Sequence, residues 1–236
     1  MSNEFGLLNK QYSSCASCLD PFCAVALLNN EQVSTLQQNC RELTLSKKEH
    51  IYLEGSLTSH IVYLRSGLVV EYKKGDNGRD QMVQIIKSFS YLGLNSLFGD
   101  QINHYSYKAL NDVQVCYIDV DTFKNLVRSN GDFAYEVLVS MSKDNLNGYS
   151  RLLNNNAKQT YGKVADALLY FGNAIFDNNT FTLPVTRDEF GSLLGITRES
   201  TSRALTKFQN EGFIKISGSS ITLINTGQLH KISKTG

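Results

Sequence analysis

The sequence predicts an α+β chain in three parts: an N-terminal β-roll, a long helix and a C-terminal winged helix-turn-helix. Three observations predict it. Residues 43–123 alternate short strand-like runs with Gly, Asn and Asp punctuation. Residues 132–156 contain no proline and repeat apolar residues at spacings of 3 and 4. Residues 186–210 read as two helices joined by a tight turn, with a short hairpin behind them. The expected boundaries are a cysteine-rich arm over residues 1–30, the β-roll over 31–131, the long helix over 132–156 and the winged helix-turn-helix over 157–236.

A chain of 236 residues with 42% hydrophobic content can bury one or two ordinary cores, and its 19% charged content is low for a disordered one. No apolar run approaches the roughly 18 residues a membrane span needs, and the polar start MSNEFGLLNKQ lacks the apolar core of a signal peptide. These features predict a cytoplasmic protein with no membrane partner. Five cysteines in a reducing compartment point to metal or redox chemistry rather than to a disulfide framework.

The arm carries Cys15, Cys18 and Cys23 in CASCLDPFC, at the spacing C-x2-C-x4-C. Thiolates this close suit a soft metal, because a short loop wraps one centre and the metal's charge keeps the thiols deprotonated. Zinc and an iron-sulfur cluster both fit three such ligands. The fourth must come from elsewhere, with Cys40 and Cys116 as the candidates.

In the β-roll the runs IYLEGS, HIVYLRSGLVVEYKK, QMVQIIKSF and VQVCYIDV supply strands, and Gly55, Gly67, Gly75, Gly78 and Gly93 mark turns. Val62, Leu64, Leu68 and Val70 are the expected inward residues of the long hairpin, and a helical segment starts with DVDTFKNLV. In the long helix, Leu138, Met141, Asn145, Gly148 and Leu152 form a coiled-coil seam with two poor members, so association through it is weak enough to be controlled. Asn154, Asn155 and Asn156 read as a hinge, and residues 164–176 as an apolar helix.

The C-terminal part is the most detailed. Thr186 stands three residues ahead of Glu189 in a capping box; Phe190, Leu193 and Leu194 share a face; Gly195 suits a helix end. Ile196 plugs the turn and Thr197 caps a second helix that Gly212 ends. Thr201, Ala204, Leu205 and Phe208 form the inner face of that helix, and Glu199, Ser202, Arg203 and Thr206 the outer one. Arginine can fork onto guanine, glutamate can accept from the cytosine amine, and serine serves either. Arg198, Glu199, Ser202 and Arg203 therefore form a base-reading set on a helix suited to the major groove. Residues 213–216 and 221–224 make a hairpin wing whose Lys215 is placed for a phosphate. From Thr197 onward six cations face two acids, an excess of four on a chain whose net charge is +1, which suits DNA contact over one region only.

The order of these parts resembles the family of the cAMP receptor protein and the fumarate and nitrate reduction regulator, the Crp/Fnr family. The resemblance runs from the cysteine arm through SGLVVEYKKGDNGRDQMVQII to GSLLGITRESTSRALTKFQNEGFI, and LGITRESTSRAL looks like the family's recognition-helix signature. It implies a cyclic-nucleotide-binding-like β-roll, a homodimer formed along the long helix, binding to a palindromic operator in double-stranded DNA, and RNA polymerase as a partner. Glu199, Ser202 and Arg203 match the oxygen-sensing branch, while Arg198 is the residue of the cAMP-binding branch. The oxygen-sensing branch further implies a [4Fe-4S] cluster on Cys15, Cys18, Cys23 and Cys116, leaving Cys40 without a family role. That branch usually places five residues between its second and third cysteines, where this chain has four.

The implied function is a regulator that senses oxygen or redox state through the cluster, which controls dimerisation and operator binding. The alternative is the same regulator with a zinc site, with a haem site whose iron His50, His60 or His104 could ligate, or with no cofactor. Cyclic nucleotide is not expected, because Leu94 stands at the glutamate position of that branch and His104-Tyr105 near its Arg-Ser pair. A buried phosphate without an arginine is costly. No nucleophile-base constellation, phosphate-binding glycine loop or paired carboxylate motif suggests an enzyme.

Overall fold

The computed structural model of the protein describes residues 24–75, 78 and 80–236, and the arm cysteines Cys15, Cys18 and Cys23 lie outside the described residues. The chain divides into two units: the described residues up to Lys73 with Ile85–Asp144, and Lys74–Gln84 with Asn145–Gly236.

The first unit begins with a 3-10 turn at Ala24–Leu27 and helix α1 (Asn30–Gln38), opened by a reciprocal cap between Asn29 and Gln32. Two four-stranded antiparallel sheets follow. One holds, in spatial order, β1 (Cys40–Leu45), β8 (Val113–Asp119), β3 (His60–Ser66) and β6 (Ser90–Leu92). The other holds β2 (His50–Tyr52), β7 (Ser106–Ala109), β4 (Leu68–Lys74) and β5 (Asp80–Lys87). Val62, Leu64, Leu92 and Val115 of the first sheet meet Ile51, Val69 and Ala109 of the second in the roll interior.

Of the four residues expected to face inward, Val62 and Leu64 do so. Leu68 and Val70 are buried as well, but Val69 takes the interior position, so alternation puts them on the other face of β4. The chain reverses between the two strands through Gly67, whose φ of 91° no side chain adopts easily and whose added Cβ would lie 2.6 Å from the Asp112 carbonyl oxygen.

Strand β3 is buried on both faces. Its Ile61 and Tyr63 join Cys116 and Ile118 of β8 in a second core, closed by Leu36 of α1 and by Phe123 and Leu126 of α3 (Val120–Ser129). Phe133 and Val137 of α4 (Gly131–Ala157) complete it. The short helix α2 (Leu94–Phe98) leaves β6 through Gly93 and buries Leu94 and Leu97. Helix α3 starts where Asp119 accepts the Thr122 N–H at 2.8 Å, a bond that holds the Asp119 carboxyl below the usual carboxylate range.

Helix α4 runs unbroken to Ala157, so Asn154–Asn156 lie inside it rather than at a hinge, and the helical ladder breaks at Lys158 and Gln159. The seam differs too. Met141 turns to the first unit's core, whereas Tyr135, Leu138, Leu146, Tyr149 and Leu153 are 58% or more exposed, as is Leu152. The beginning of α4 is apolar on two sides, and periodicity alone does not tell which stripe its own chain covers.

In the second unit, α5 (Thr160–Tyr170) passes into a π-helical turn at Phe171–Ile175 and then β9 (Thr180–Thr182). Helices α6 (Arg187–Leu194) and α7 (Arg198–Asn210) precede the hairpin β10 (Ile214–Ser217) and β11 (Ser220–Leu223), and α8 (Thr226–Thr235) follows. Strand β9 pairs with β11, which extends the expected two-stranded wing to three strands. Phe171, fully buried, packs its ring 5.8 Å from Phe190 and 6.0 Å from Phe181, tying the wing to α6. Among the described residues no helix is long and apolar enough to cross a membrane.

Candidate nucleic-acid interface and thiol site

Three local devices build the helix-turn-helix. The Glu189 N–H donates to Thr186 Oγ1 at 3.2 Å while the Thr186 N–H donates to Glu189 Oε2 at 2.8 Å, which fixes the start of α6. Gly195 ends α6 in the left-handed conformation (φ 63°). Thr197 caps α7, accepting the Ser200 N–H at 3.1 Å, and its carbonyl receives the Thr201 hydroxyl at 3.0 Å. Gly191 supplies what the sequence pattern missed. A Cβ there would lie 2.8 Å from the Ile196 carbonyl oxygen and 3.0 Å from Thr201 Oγ1, so glycine is what lets α6 meet the turn and α7 this closely. A helix-disfavouring residue between the apolar Phe190 and Leu194 was the available signal.

The two faces of α7 separate cleanly. Thr201, Ala204, Leu205 and Phe208 are at most 1% exposed. Thr197, Arg198, Glu199, Arg203 and Thr206 are exposed, with Ser202 half-buried among them. All the expected base-reading side chains thus gather on the first two turns of one helix, and its open outer surface continues through Thr206, Lys207, Asn210 and Glu211. Arg203 Nη2 donates to Ser200 Oγ at 3.3 Å, which aims the guanidinium along the helix surface. Lys215 projects from β10, exposed and opposite Thr222.

Two further side chains are fixed by contacts of these helices with neighbouring elements. Lys207 Nζ stands 4.4 Å from the centre of the Tyr161 ring and 3.9 Å from Glu211 Oε1, so α5 positions a cation of α7. Ser192, half-buried on α6, donates from Oγ to the Asp80 carbonyl at 3.3 Å and accepts the Met82 N–H at 3.1 Å.

The thiols are distributed differently. Cys116 lies in the middle of β8, 5% exposed, directly opposite Glu42 of β1 and Tyr63 of β3. Residues paired across a ladder share a sheet face, so Glu42, Cys116 and Tyr63 form one row, and Glu42 is ion-paired with Arg65. Ala24, which follows Cys23 directly, is 7% exposed and packs into the same core as Cys116. That core also holds Phe133 and Val137 of α4. Among the described residues no three metal-ligating side chains converge, and the three arm thiols are not among those residues.

In the roll interior, Glu71 is 6% exposed and accepts the Tyr107 hydroxyl at 2.8 Å. Burial, then the Glu71 charge, raises the Tyr107 phenol above its ordinary value. Tyr52 packs edge-on against Tyr107 at 5.6 Å and donates to the His60 carbonyl at 2.6 Å. His104 is exposed and pairs with Asp100 at 2.9 Å, and nearby Lys73 sits 3.4 Å from Glu54. His50 accepts or donates a 3.1 Å bond with the Tyr72 hydroxyl, and His60 one of 3.0 Å with Ser59.

A winged helix-turn-helix whose exposed face is polar and cationic, carried on a chain with a β-roll, defines a DNA-binding transcriptional regulator. Residues 162–232 match the Crp-like helix-turn-helix domain and residues 42–130 the cyclic nucleotide-binding domain, and the chain belongs to the Crp/Fnr family of regulators. It is 25% identical over 226 residues to the fumarate and nitrate reduction regulatory protein of Vibrio cholerae, covering 93% of this chain and 90% of that protein. It is 25% identical over 236 residues to the transcriptional activator protein Anr of Pseudomonas protegens, covering 97% and 96%. In fold it is similar to FixK2 from Bradyrhizobium japonicum, with a TM-score of 0.75 over 82% of this chain and 96% of that one at 23% identity.

Proposed function

We propose that the protein reads a palindromic operator as a homodimer and that a thiolate-held [4Fe-4S] cluster makes this binding depend on oxygen or redox state. The observation that carries the DNA half is the division of α7: an inner face at most 1% exposed and an outer face of Arg198, Glu199, Ser202 and Arg203 left to a partner. Arg203 and Glu199 are suited to base edges, Thr197 and Lys215 to phosphates. The exposed stripe of α4 suits a second copy of the same helix, which places two recognition helices on two half-sites. Where the operator lies then decides contact with RNA polymerase.

The cluster half rests on donor chemistry. Cys116 is held on a rigid strand, and the arm that carries Cys15, Cys18 and Cys23 leads into Ala24 in the same core. Four thiolates are a soft donor set suited to iron-sulfur ligation, and a bound cluster supplies sensitivity to oxidants. The chain's part is mechanical: anchoring the arm at Ala24 and Cys116 bears on Phe133 and Val137, and so on the helix whose other side is the proposed dimer face. That route shifts an association equilibrium rather than creating one. The names of the relatives, which include an anaerobic regulatory protein of Haemophilus influenzae, favour this signal over a zinc or haem site. In the roll interior Glu71 would repel a phosphate, and no arginine stands at His104-Tyr105, which disfavours cyclic nucleotide.

The test is anaerobic purification followed by iron and sulfide analysis and sedimentation, with and without air. The reading expects iron and sulfide in equal amounts, lost in air together with dimer and operator affinity. A colourless zinc protein would replace the cluster with a structural metal. A protein fully dimeric in air without iron would show that the signal does not act through association.

A further inference from the structure

We infer that Ser192 is a positioning residue for operator recognition, docking strand β5 onto α6 while α7 stays free to read DNA. The inference rests on the DNA half of the reading above and concerns a residue outside the base-reading set.

Strand geometry carries it. In its four-stranded sheet β5 lies at the edge, paired with β4 on one side. The other side of an edge strand carries N–H and C=O groups that need partners elsewhere. Residues two apart present these groups along the same side, and the Asp80 carbonyl and the Met82 N–H are such a pair. One side chain, 110 residues beyond Met82, meets both: Ser192 Oγ accepts the Met82 N–H at 3.1 Å and donates to the Asp80 carbonyl at 3.3 Å. A hydroxyl is suited to this double task because it is donor and acceptor at once. Met82 is 8% exposed, so its N–H has little water to turn to if the hydroxyl is removed. Arg151 of α4 donates to the Gln84 side chain, which holds the same strand two residues further on. Residues Lys74–Gln84 accordingly belong to the same unit as Asn145–Gly236.

The state of α6 in this contact sets the sign of the effect. Ser192 follows Gly191, the residue that lets α6 meet the turn and α7, so β5 docks on a helix-turn-helix that is already assembled. Arg198, Glu199 and Arg203 stay exposed with β5 in place. DNA selects the same assembled state through α7. Two partners that favour one state favour each other, and the coupling is reciprocal. Docking of β5 therefore raises operator affinity, and operator binding tightens the docking of β5.

The experiment uses the full chain, anaerobically purified, and a duplex recovered by selection from random DNA, with a scrambled duplex of equal length as reference. Hydrogen exchange at the Met82 amide and duplex affinity are measured for the wild type and Ser192→Ala. Alanine is the better helix former, so the substitution does not weaken α6 itself. The expected result is that Ser192→Ala speeds exchange at Met82 and weakens binding to the selected duplex, each by about 2- to 10-fold, the range for one neutral hydrogen bond. The selected duplex should slow exchange at Met82 in the wild type, the scrambled one should not, and neither should slow it in the variant. A merely structural hydroxyl would leave exchange at Met82 indifferent to DNA. If the selected duplex leaves wild-type Met82 exchange unchanged or speeds it, the inference is overturned while the DNA reading stands. That arm needs no variant and decides even if Ser192→Ala fails to fold. A folded Ser192→Ala that binds the selected duplex as tightly as the wild type also overturns the inference. If selection recovers no inverted repeat, the DNA reading itself falls, and the inference with it.

Discussion

Helices α7 and α4 are both two-faced, and they expose opposite things. Helix α7 buries Ala204, Leu205 and Phe208 within its own unit and leaves charge outside. Helix α4 buries Phe133 and Val137 but leaves Tyr135, Leu138, Leu146, Tyr149 and Leu153 outside. An exposed polar face beside a finished core asks for a polar, anionic partner, and an exposed apolar stripe asks for another apolar surface. What a helix leaves uncovered identifies its partner better than its overall composition does.

The largest effect that tests this contrast falls on the buried side of α7. Phe208→Ala should cost about 3–5 kcal/mol, by lost transfer and a cavity. Denaturant unfolding should show the second unit destabilised and operator binding lost with it. Leu146→Ala should act in the opposite manner. The residue is 66% exposed, so the monomer's stability should change by no more than about 0.5 kcal/mol. Burial of such a side chain in a dimer contributes roughly 1.5–3 kcal/mol per copy, so sedimentation should show dimer dissociating at protein concentrations where the wild type stays together. If Leu146→Ala leaves association untouched, the stripe is not the dimer face.

On the polar side, Arg203→Ala should weaken the cognate site by about 1–3 kcal/mol and flatten base preference at one position per half-site. Lys215→Ala should lower affinity evenly across sequences and reduce the salt dependence by about one phosphate's worth. The smallest effect belongs to a cap. Asp119→Ala should cost the first unit about 1 kcal/mol at neutral pH. Its carboxyl titrates below its unfolded value, so the stabilisation is complete above the ordinary carboxylate range and is lost as pH falls through the lowered one. Wild type and variant should therefore converge in stability in acid.

The legibility of these features in the sequence followed their locality. The capping box of Thr186 and Glu189, the Gly195 turn and the inner face of α7 are set by residues within a few positions of one another, and the structure places all of them as expected. Non-local features were harder to read. Strand β3 is buried on both faces because helices cover one side; its unbroken apolar run from Ile61 to Leu64 records that cover, but it does not say which elements supply it. Met141 entered the seam on sequence spacing alone, since only the fold shows that it is spent on the first unit's core. The short asparagine run suggested a hinge, yet the helix continues through it at a modest cost in propensity. That Cys40 and Cys116 leave the same sheet face depends on the β1–β8 register, which no local pattern specifies.

Sequence reading by the outer face of α7, presented twice in the proposed dimer, is open to a direct test. Selection of bound sites from random duplex DNA tests it most directly, comparing the anaerobic wild type with Arg203→Ala. The expected result is an inverted repeat with half-sites about one helical turn apart, centre to centre, and the loss of preference at one base pair per half-site in the variant. Enrichment of no repeat, or the same repeat with undiminished preference from Arg203→Ala, would contradict it.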